Sequence, residues 1–323
     1  MSEHGDIGGD TDVRANARVS SENVAALKAS FEPLAVTVQD GIVLRGRLFR
    51  GGPSAKERRP VVCLAGLTRN GRDFDAVAQA LSSGAQPRDV YTFDMRGRGL
   101  SDNARDYTSY TIMREMSDTA DLMTAFGLFD CAVIGTSRGG LISMGLMAMQ
   151  PTRIGALVLN DIGPVIEMDG LLRIGGYVGK TPVPISWDDA RAIIKAPNVR
   201  DFPNLTDDDW DVLARQWYNV DESGLPAPGY DPDIAKTFDV PAGGFPELWP
   251  QFEAVTPIPV LTIRGENSDL LSAESVDRMA RRHPRFRSHT VPGEGHAPLL
   301  RDEPTINAIR RFFDDAEPKE GAQ

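Results

Sequence analysis

Cysteine is scarce in this chain of 323 residues: only Cys63 and Cys131, each inside an apolar run. That excludes a disulfide framework, and both read as free buried thiols of a reducing compartment. No C-x-x-C, H-E-x-x-H or calcium-loop spacing occurs, so no metal is expected. No run approaches the ~18–20 apolar residues that span a bilayer, so no membrane partner is expected. The opening residues, M-S-E-H-G-D-I-G-G-D, lack a basic stretch followed by an apolar core. No secretory signal is read there, and a cytoplasmic address is expected. Positive charge is in deficit, 35 Lys and Arg against 46 Asp and Glu for a net charge of −11. Phosphate binding needs a basic face, so nucleic acid is not an expected partner.

What the chain does have is a mixed pattern of strands and helices. Hydrophobic residues make up 41% of the chain, enough for a sizeable core. Residues 34–38 and 42–49 read as strands joined at Asp40-Gly41, a hairpin signal. From Pro60 onward strands and helices alternate, as a mostly parallel sheet requires. Helices are expected over residues 74–81, 111–126, 139–149, 273–282 and 305–313. The first residues, 1–23, read as a flexible arm and 318–323 as a tail. No internal repeat is evident.

The pattern breaks between residues 163 and 256, which hold several prolines and no convincing buried strand. Helices are expected at 187–194 and 207–217, the second opened by a capping box of Thr206 and Asp209. This stretch reads as a helical cap inserted after the sixth core strand, between core segments 24–162 and 257–317. Its 16 Asp and Glu against 7 Lys and Arg disfavour multiply anionic substrates. All four tryptophans, Trp187, Trp210, Trp217 and Trp249, fall within it. Each is first a packing residue. Together they suggest that at least one faces a cleft and contacts substrate.

The strongest chemical signal is C-A-V-I-G-T-S-R-G-G at residues 131–140. A buried strand leads into G-x-S-x-G, and a helix follows. Such a turn pushes the Ser137 hydroxyl out of the sheet, at the positive end of a helix and beside a free N–H. Ser137 is the expected nucleophile. Of the four histidines, only His296 lies on a glycine-bordered loop after a strand, G-E-G-H, and it is the expected base. Asp269 in the G-E-N-S-D loop is the expected orienting acid. Asp161, which ends the strand 156–160, is its rival, and Glu266 shares the Asp269 loop. A second oxyanion donor belongs after the early strand 60–64, in A-G-L-T-R-N. The expected donors are the N–H groups of Leu67 and Arg138.

These motifs, in this order, resemble the α/β-hydrolase family in its cap-bearing serine-esterase form, over roughly residues 31–313. They comprise A-G-L-T, D-M-R-G-R-G-L-S at residues 94–101, the G-T-S-R-G elbow, and the G-E-N-S-D and G-E-G-H loops. Ala65 stands where the family usually has histidine. The resemblance implies an α/β fold with a mostly parallel central sheet flanked by helices, no cofactor, and a structural role for residues 94–101. The expected function is serine-dependent cleavage of a small, mainly uncharged carboxylic ester or lactone through an acyl-enzyme. The same triad also serves thioesterases, acyltransferases and carbon–carbon bond hydrolases of ring-cleavage products. The last would need a cation for the substrate carboxylate, with Arg69, Arg138, Arg173 and Arg191 as candidates. A receptor-like small-molecule-binding protein is the alternative of a different class.

Overall fold

A computed structural model describes residues 31–241 and 244–318. The expected arm, 1–23, and all but the first residue of the expected tail lie outside the described residues. Eight strands form one sheet: β1 (Glu32–Thr37), β2 (Val43–Phe49), β3 (Val61–Leu64), β4 (Val90–Asp94), β5 (Cys131–Thr136), β6 (Ile154–Asn160), β9 (Val260–Gly265) and β10 (Phe286–Val291). Their order is β1-β2-β4-β3-β5-β6-β9-β10. β2 pairs antiparallel with β1 and with β4, and every later neighbour pairs parallel. The first hairpin turns at Asp40-Gly41, where Gly41 takes φ 81°, a left-handed conformation suited to glycine.

Alternation along the central strands builds two apolar layers. Val62, Leu64, Cys131, Val133, Leu157 and Leu159 face one side. That layer is covered by α2 (Ile112–Ala125), α3 (Arg138–Met149) and α8 (Ala273–Arg282). Val61, Cys63, Ala132, Ile134, Ala156 and Val158 face the other. Here α1 (Asp75–Ser82) and α9 (Glu303–Ala316) supply the cover. With both faces buried, these strands read in sequence as continuous hydrophobic runs. The two cysteines point into opposite layers, so each is a free buried thiol.

Between β6 and β9 lie α4 (Met168–Tyr177), α5 (Trp187–Asn198), α6 (Asp207–Trp217), the two-residue strands β7 (Asn219–Val220) and β8 (Pro226–Ala227), and α7 (Trp249–Ala254). The capping box expected at α6 is present, with Thr206 and Asp209 each bonding the other's backbone N–H. Helix α4 was not expected, because Gly170, Gly175 and Gly176 dilute its helical signal. Tertiary packing overrides propensity there. Leu171 and Ile174 join the main core, and Gly170 sits so close to the next loop that a Cβ would lie 2.8 Å from the Asp269 carbonyl. Helices α5 and α6 enclose a separate small core of Ala190, Ile194, Phe202, Trp210, Leu213, Ala214 and Tyr218.

Contacts at several places hold this insertion to the core, among them an ion pair of Arg301 with Asp209. The Gln216 carbonyl at the end of α6 accepts from Asn70 Nδ2 at 2.9 Å and from Arg72 Nε at 2.8 Å. The segment after β8 docks on the loop that follows β4, with Gly99 N–H donating to the Gly229 carbonyl and Asp231 N–H to that of Gly97, both at 2.8 Å. Among the described residues no helix is long and apolar enough to cross a membrane.

Candidate active site

β5 delivers Ser137 and α3 carries the chain away, and the turn between them is tight. Ser137 adopts φ 50° and ψ −115°, a strained conformation for a residue with a side chain. The glycines around it are needed by space as well as by turn geometry. A Cβ on Gly135 would lie 2.7 Å from the Gly139 backbone, and one on Gly139 would run into the Leu64 carbonyl. The hydroxyl is thereby held at the sheet edge, at the N-terminus of α3.

Ser137 Oγ lies 3.0 Å from His296 Nε2. His296 Nδ1 lies 2.8 Å from Asp161 Oδ2. Asp161 is fully buried and also accepts from Gly265 N–H at 2.8 Å and Ser268 Oγ at 2.6 Å. An ionised carboxylate only accepts hydrogen bonds, so this arrangement places the imidazole proton on Nδ1. Nε2 is then left to accept from the serine hydroxyl.

The structure thus corrects one sequence expectation: Asp161, rather than Asp269, stands against the imidazole. The Asp269 carboxylate turns toward α4, where Arg173 donates to it from Nε at 2.5 Å and from Nη2 at 2.8 Å. Burial would raise the Asp269 pKa, but the hydrogen bonds and charge of Arg173, with the charge of His296, bring it below the ordinary carboxylate value. Glu266, in the same loop, accepts from Gly293 N–H at 2.8 Å and so ties the acid loop to the histidine loop.

Of the expected oxyanion donors, Arg138 follows Ser137 in the chain and Leu67 lines the same cleft as Ser137. Arg138 is the first residue of α3, so its N–H has no acceptor within the helix. Among the described residues neither that N–H nor that of Leu67 has a partner in loops or side chains. Sequence reading gave no sign of what connects them. Glu115 of α2, 1% exposed, accepts from Arg138 Nε at 2.6 Å and from Arg98 Nη1 at 2.7 Å. Arg98 in turn donates from Nε to the Leu67 carbonyl at 2.8 Å. Burial alone would raise the Glu115 pKa, yet the two guanidinium groups lower it. A glutamate in the middle of a helix carries no such signal in sequence.

Residues 94–101 are scaffold, as their resemblance implied. Asp94 binds Gly71 N–H at 2.7 Å and Leu100 N–H at 2.8 Å, and Arg96 pairs with Asp118. The cleft lined by Ser137 and His296 has a volume of about 2100 Å³, and its lining includes Arg45 and Arg311. Of the four tryptophans proposed to contact substrate, Trp217 lines it. The other three do not: Trp210 is sealed in the small core, Trp187 bonds the Gly224 carbonyl, and Trp249 packs on Phe252 beside Arg278 and Arg282. Among the described residues no group of three or more His, Cys, Asp or Glu could hold a metal ion.

A strand–serine–helix turn met by a histidine and a buried carboxylate at the edge of a parallel sheet is the arrangement of hydrolases built on this topology. Comparison with known proteins agrees. The model of the alpha/beta hydrolase family matches residues 61–308. The chain is 35% identical over 269 residues to a 3-hydroxybutyrate-oligomer hydrolase of Cupriavidus necator, covering 80% of this chain and 89% of that protein. It is 28% identical over 253 residues to a 2-(acetamidomethylene)succinate hydrolase of Mesorhizobium japonicum, covering 77% and 86%. The crystal structure of an alpha/beta hydrolase from Novosphingobium aromaticivorans superposes with a TM-score of 0.81 at 39% identity, covering 88% of this chain and 99% of that one. The chain belongs to the α/β-hydrolase family, and it is a hydrolase.

Proposed function

We infer that the chain is a serine hydrolase of carboxylic esters working through an acyl-enzyme. The observation that carries this reading is the unbroken chain of contacts from Ser137 Oγ to His296 Nε2 at 3.0 Å and from His296 Nδ1 to Asp161 at 2.8 Å. Ser137 Oγ attacks the ester carbonyl while its proton passes to His296 Nε2. The N–H groups of Leu67 and Arg138 stabilise the oxyanion that forms. Collapse expels the alcohol, which takes the proton from His296. Water then attacks the acyl group, giving a proton to His296. The second collapse releases the acid and returns that proton to Ser137. Asp161 holds the imidazole in the required tautomer and stabilises its cation.

A carbon–carbon bond hydrolase would need a free cation in the cleft. Three of the four candidate arginines are already paired: Arg138 with Glu115, Arg173 with Asp269, and Arg191 with Asp188 and Asp211. The fourth, Arg69, lines the cleft and pairs with Asp73. The Cupriavidus relative, a 3-hydroxybutyrate-oligomer hydrolase, adds esters of 3-hydroxybutyrate to the substrates worth assaying.

Hydrolysis of a graded series of p-nitrophenyl esters by wild type and Ser137→Ala tests the reading. Cleavage of short and medium chains that disappears in Ser137→Ala is expected. Full activity in that variant, with no contaminating esterase, would overturn it.

A further inference from the structure

Arg69 differs from the other arginines near the site. It belongs to the loop that carries Leu67, and it lines the cleft. Its distance from the reacting centre is short. The position a Cβ would take on Gly66 is 3.7 Å from Ser137 Cβ and 3.8 Å from Arg69 Cγ, so both side chains approach the same glycine.

The guanidinium is held flat and is incompletely bonded. Its Cζ lies 3.3 Å from the centroid of the Trp217 ring. Nη2 donates to Asp73 at 2.7 Å, while Nε is buried without a hydrogen-bond partner among the described residues. The Nε1–H of Trp217, also a cleft residue, is buried and unpartnered in the same way. Leaving such donors unmade is costly, and a charged acceptor satisfies them best. A stacked, planar guanidinium also suits a carboxylate better than an ammonium would.

We propose that Arg69, braced by Trp217, is a carboxylate-binding residue, and that the preferred ester carries one free carboxylate within a few bonds of the scissile carbonyl. This deepens the ester-hydrolase reading and rests on it. It also departs from the uncharged ester expected from sequence, while a single anion remains compatible with the acidic insertion. The charged and titratable groups facing Arg69 are Asp73, Arg72 and Tyr177. Burial lowers the Arg69 pKa to about 10 and raises that of Asp73, so both partners are already desolvated. A substrate carboxylate would add the second acceptor that the cation lacks.

The test uses two acids, 3-(butanoyloxy)propanoate and 4-butoxy-4-oxobutanoate, each assayed beside its neutral primary amide. Wild type should prefer at least one acid over its amide by roughly 10–100-fold in kcat/KM, the worth of a charge-assisted hydrogen bond. Arg69→Gln should erase that preference, Arg69→Lys should restore part of it, and Trp217→Phe, which keeps the ring but loses the N–H, should reduce it. Melting temperatures of all variants identify any that fail to fold, and Arg69→Lys and Trp217→Phe keep the test open if Arg69→Gln does. An acid-to-amide ratio near one in wild type, or one unchanged in the folded variants, would overturn the assignment while leaving ester hydrolysis standing. Should no ester be cleaved, the ester reading falls, and calorimetric titration of Ser137→Ala with 3-hydroxypropanoate decides for Arg69. Binding lost on adding Arg69→Gln supports the carboxylate site, and absent or unchanged binding refutes it.

Discussion

Arg173 grips both carboxylate oxygens of Asp269, at 2.5 and 2.8 Å, and thereby draws that acid toward the insertion and away from His296. Asp161 takes the place against the imidazole. The two acids should therefore separate on mutation. Asp161→Asn removes the charge that stabilises the imidazolium and upsets the tautomer, and should lower kcat on the order of 10³–10⁴-fold. Asp269→Asn breaks a half-buried ion pair between core and insertion, and should act mainly on stability. Steady-state kinetics of the two variants on one p-nitrophenyl ester decides the matter. The opposite ranking would return the orienting role to Asp269.

Glu115 offers a second separation, between holding a donor and being one. It touches no reacting atom, yet through Arg98 and Arg138 it reaches both expected oxyanion residues. Glu115→Gln cannot pair with two cations, and breaking a buried ionic network costs about 3–5 kcal/mol of stability. In the folded fraction, kcat should fall by roughly 10–100-fold, below the ~10²–10³-fold cost of deleting one oxyanion donor outright. KM should stay close to wild type. A parallel rise in KM would point instead to a distorted cleft.

Much of this was legible in sequence, for identifiable reasons. Central strands buried on both faces announce themselves as apolar runs, and the parallel order then fixes which loops share an edge. Ser137 and His296 could be placed because each follows a strand on a loop bordered by glycine. Asp161 and Asp269 both end at that same edge; sequence reading ranks Asp269 above Asp161, and the structure reverses that order. The choice between them turns on Arg173, 96 residues from Asp269 in a glycine-diluted helix. Nor could sequence show which tryptophan faces the cleft. Helix α6 buries Trp210 and presents Trp217 to the cleft, and the two are two turns apart on one helix.

Glu294 gives a prediction in pH. Burial raises its carboxyl to about 7 from the ordinary 4.5, and its side chain accepts from Leu299 N–H at 2.8 Å, closing the loop that carries His296. Between these two values the folded chain keeps a proton that the unfolded chain has released. The stability contributed by the neutral carboxyl is complete below pH 4.5 and is lost as pH rises through 7. Glu294→Gln keeps the acceptor and removes the titration. Melting temperatures of wild type and variant should be similar near pH 5 and diverge in favour of the variant by pH 7.5. Parallel curves would show that Glu294 ionises normally.

Trp210 tests whether the insertion has a core of its own. The ring is fully buried and meets Phe202 edge to face at 6.5 Å, but its Nε1 has no partner among the described residues. Removing the whole side chain should cost about 3–5 kcal/mol, the usual range for a buried aromatic. Phenylalanine leaves a smaller void and also removes an unsatisfied donor, worth about 1–3 kcal/mol in the opposite direction. Trp210→Phe should therefore come within about 1 kcal/mol of wild type while Trp210→Ala does not. Trp187, Trp210 and Trp217 belong to or pack against the small core while Trp249 joins the main one, so fluorescence follows chiefly the insertion while circular dichroism follows the whole fold. In urea, Trp210→Ala should lose its fluorescence signal before its helical signal, and wild type should lose both together. Coincident transitions in Trp210→Ala would mean that the small core unfolds only with the sheet beneath it.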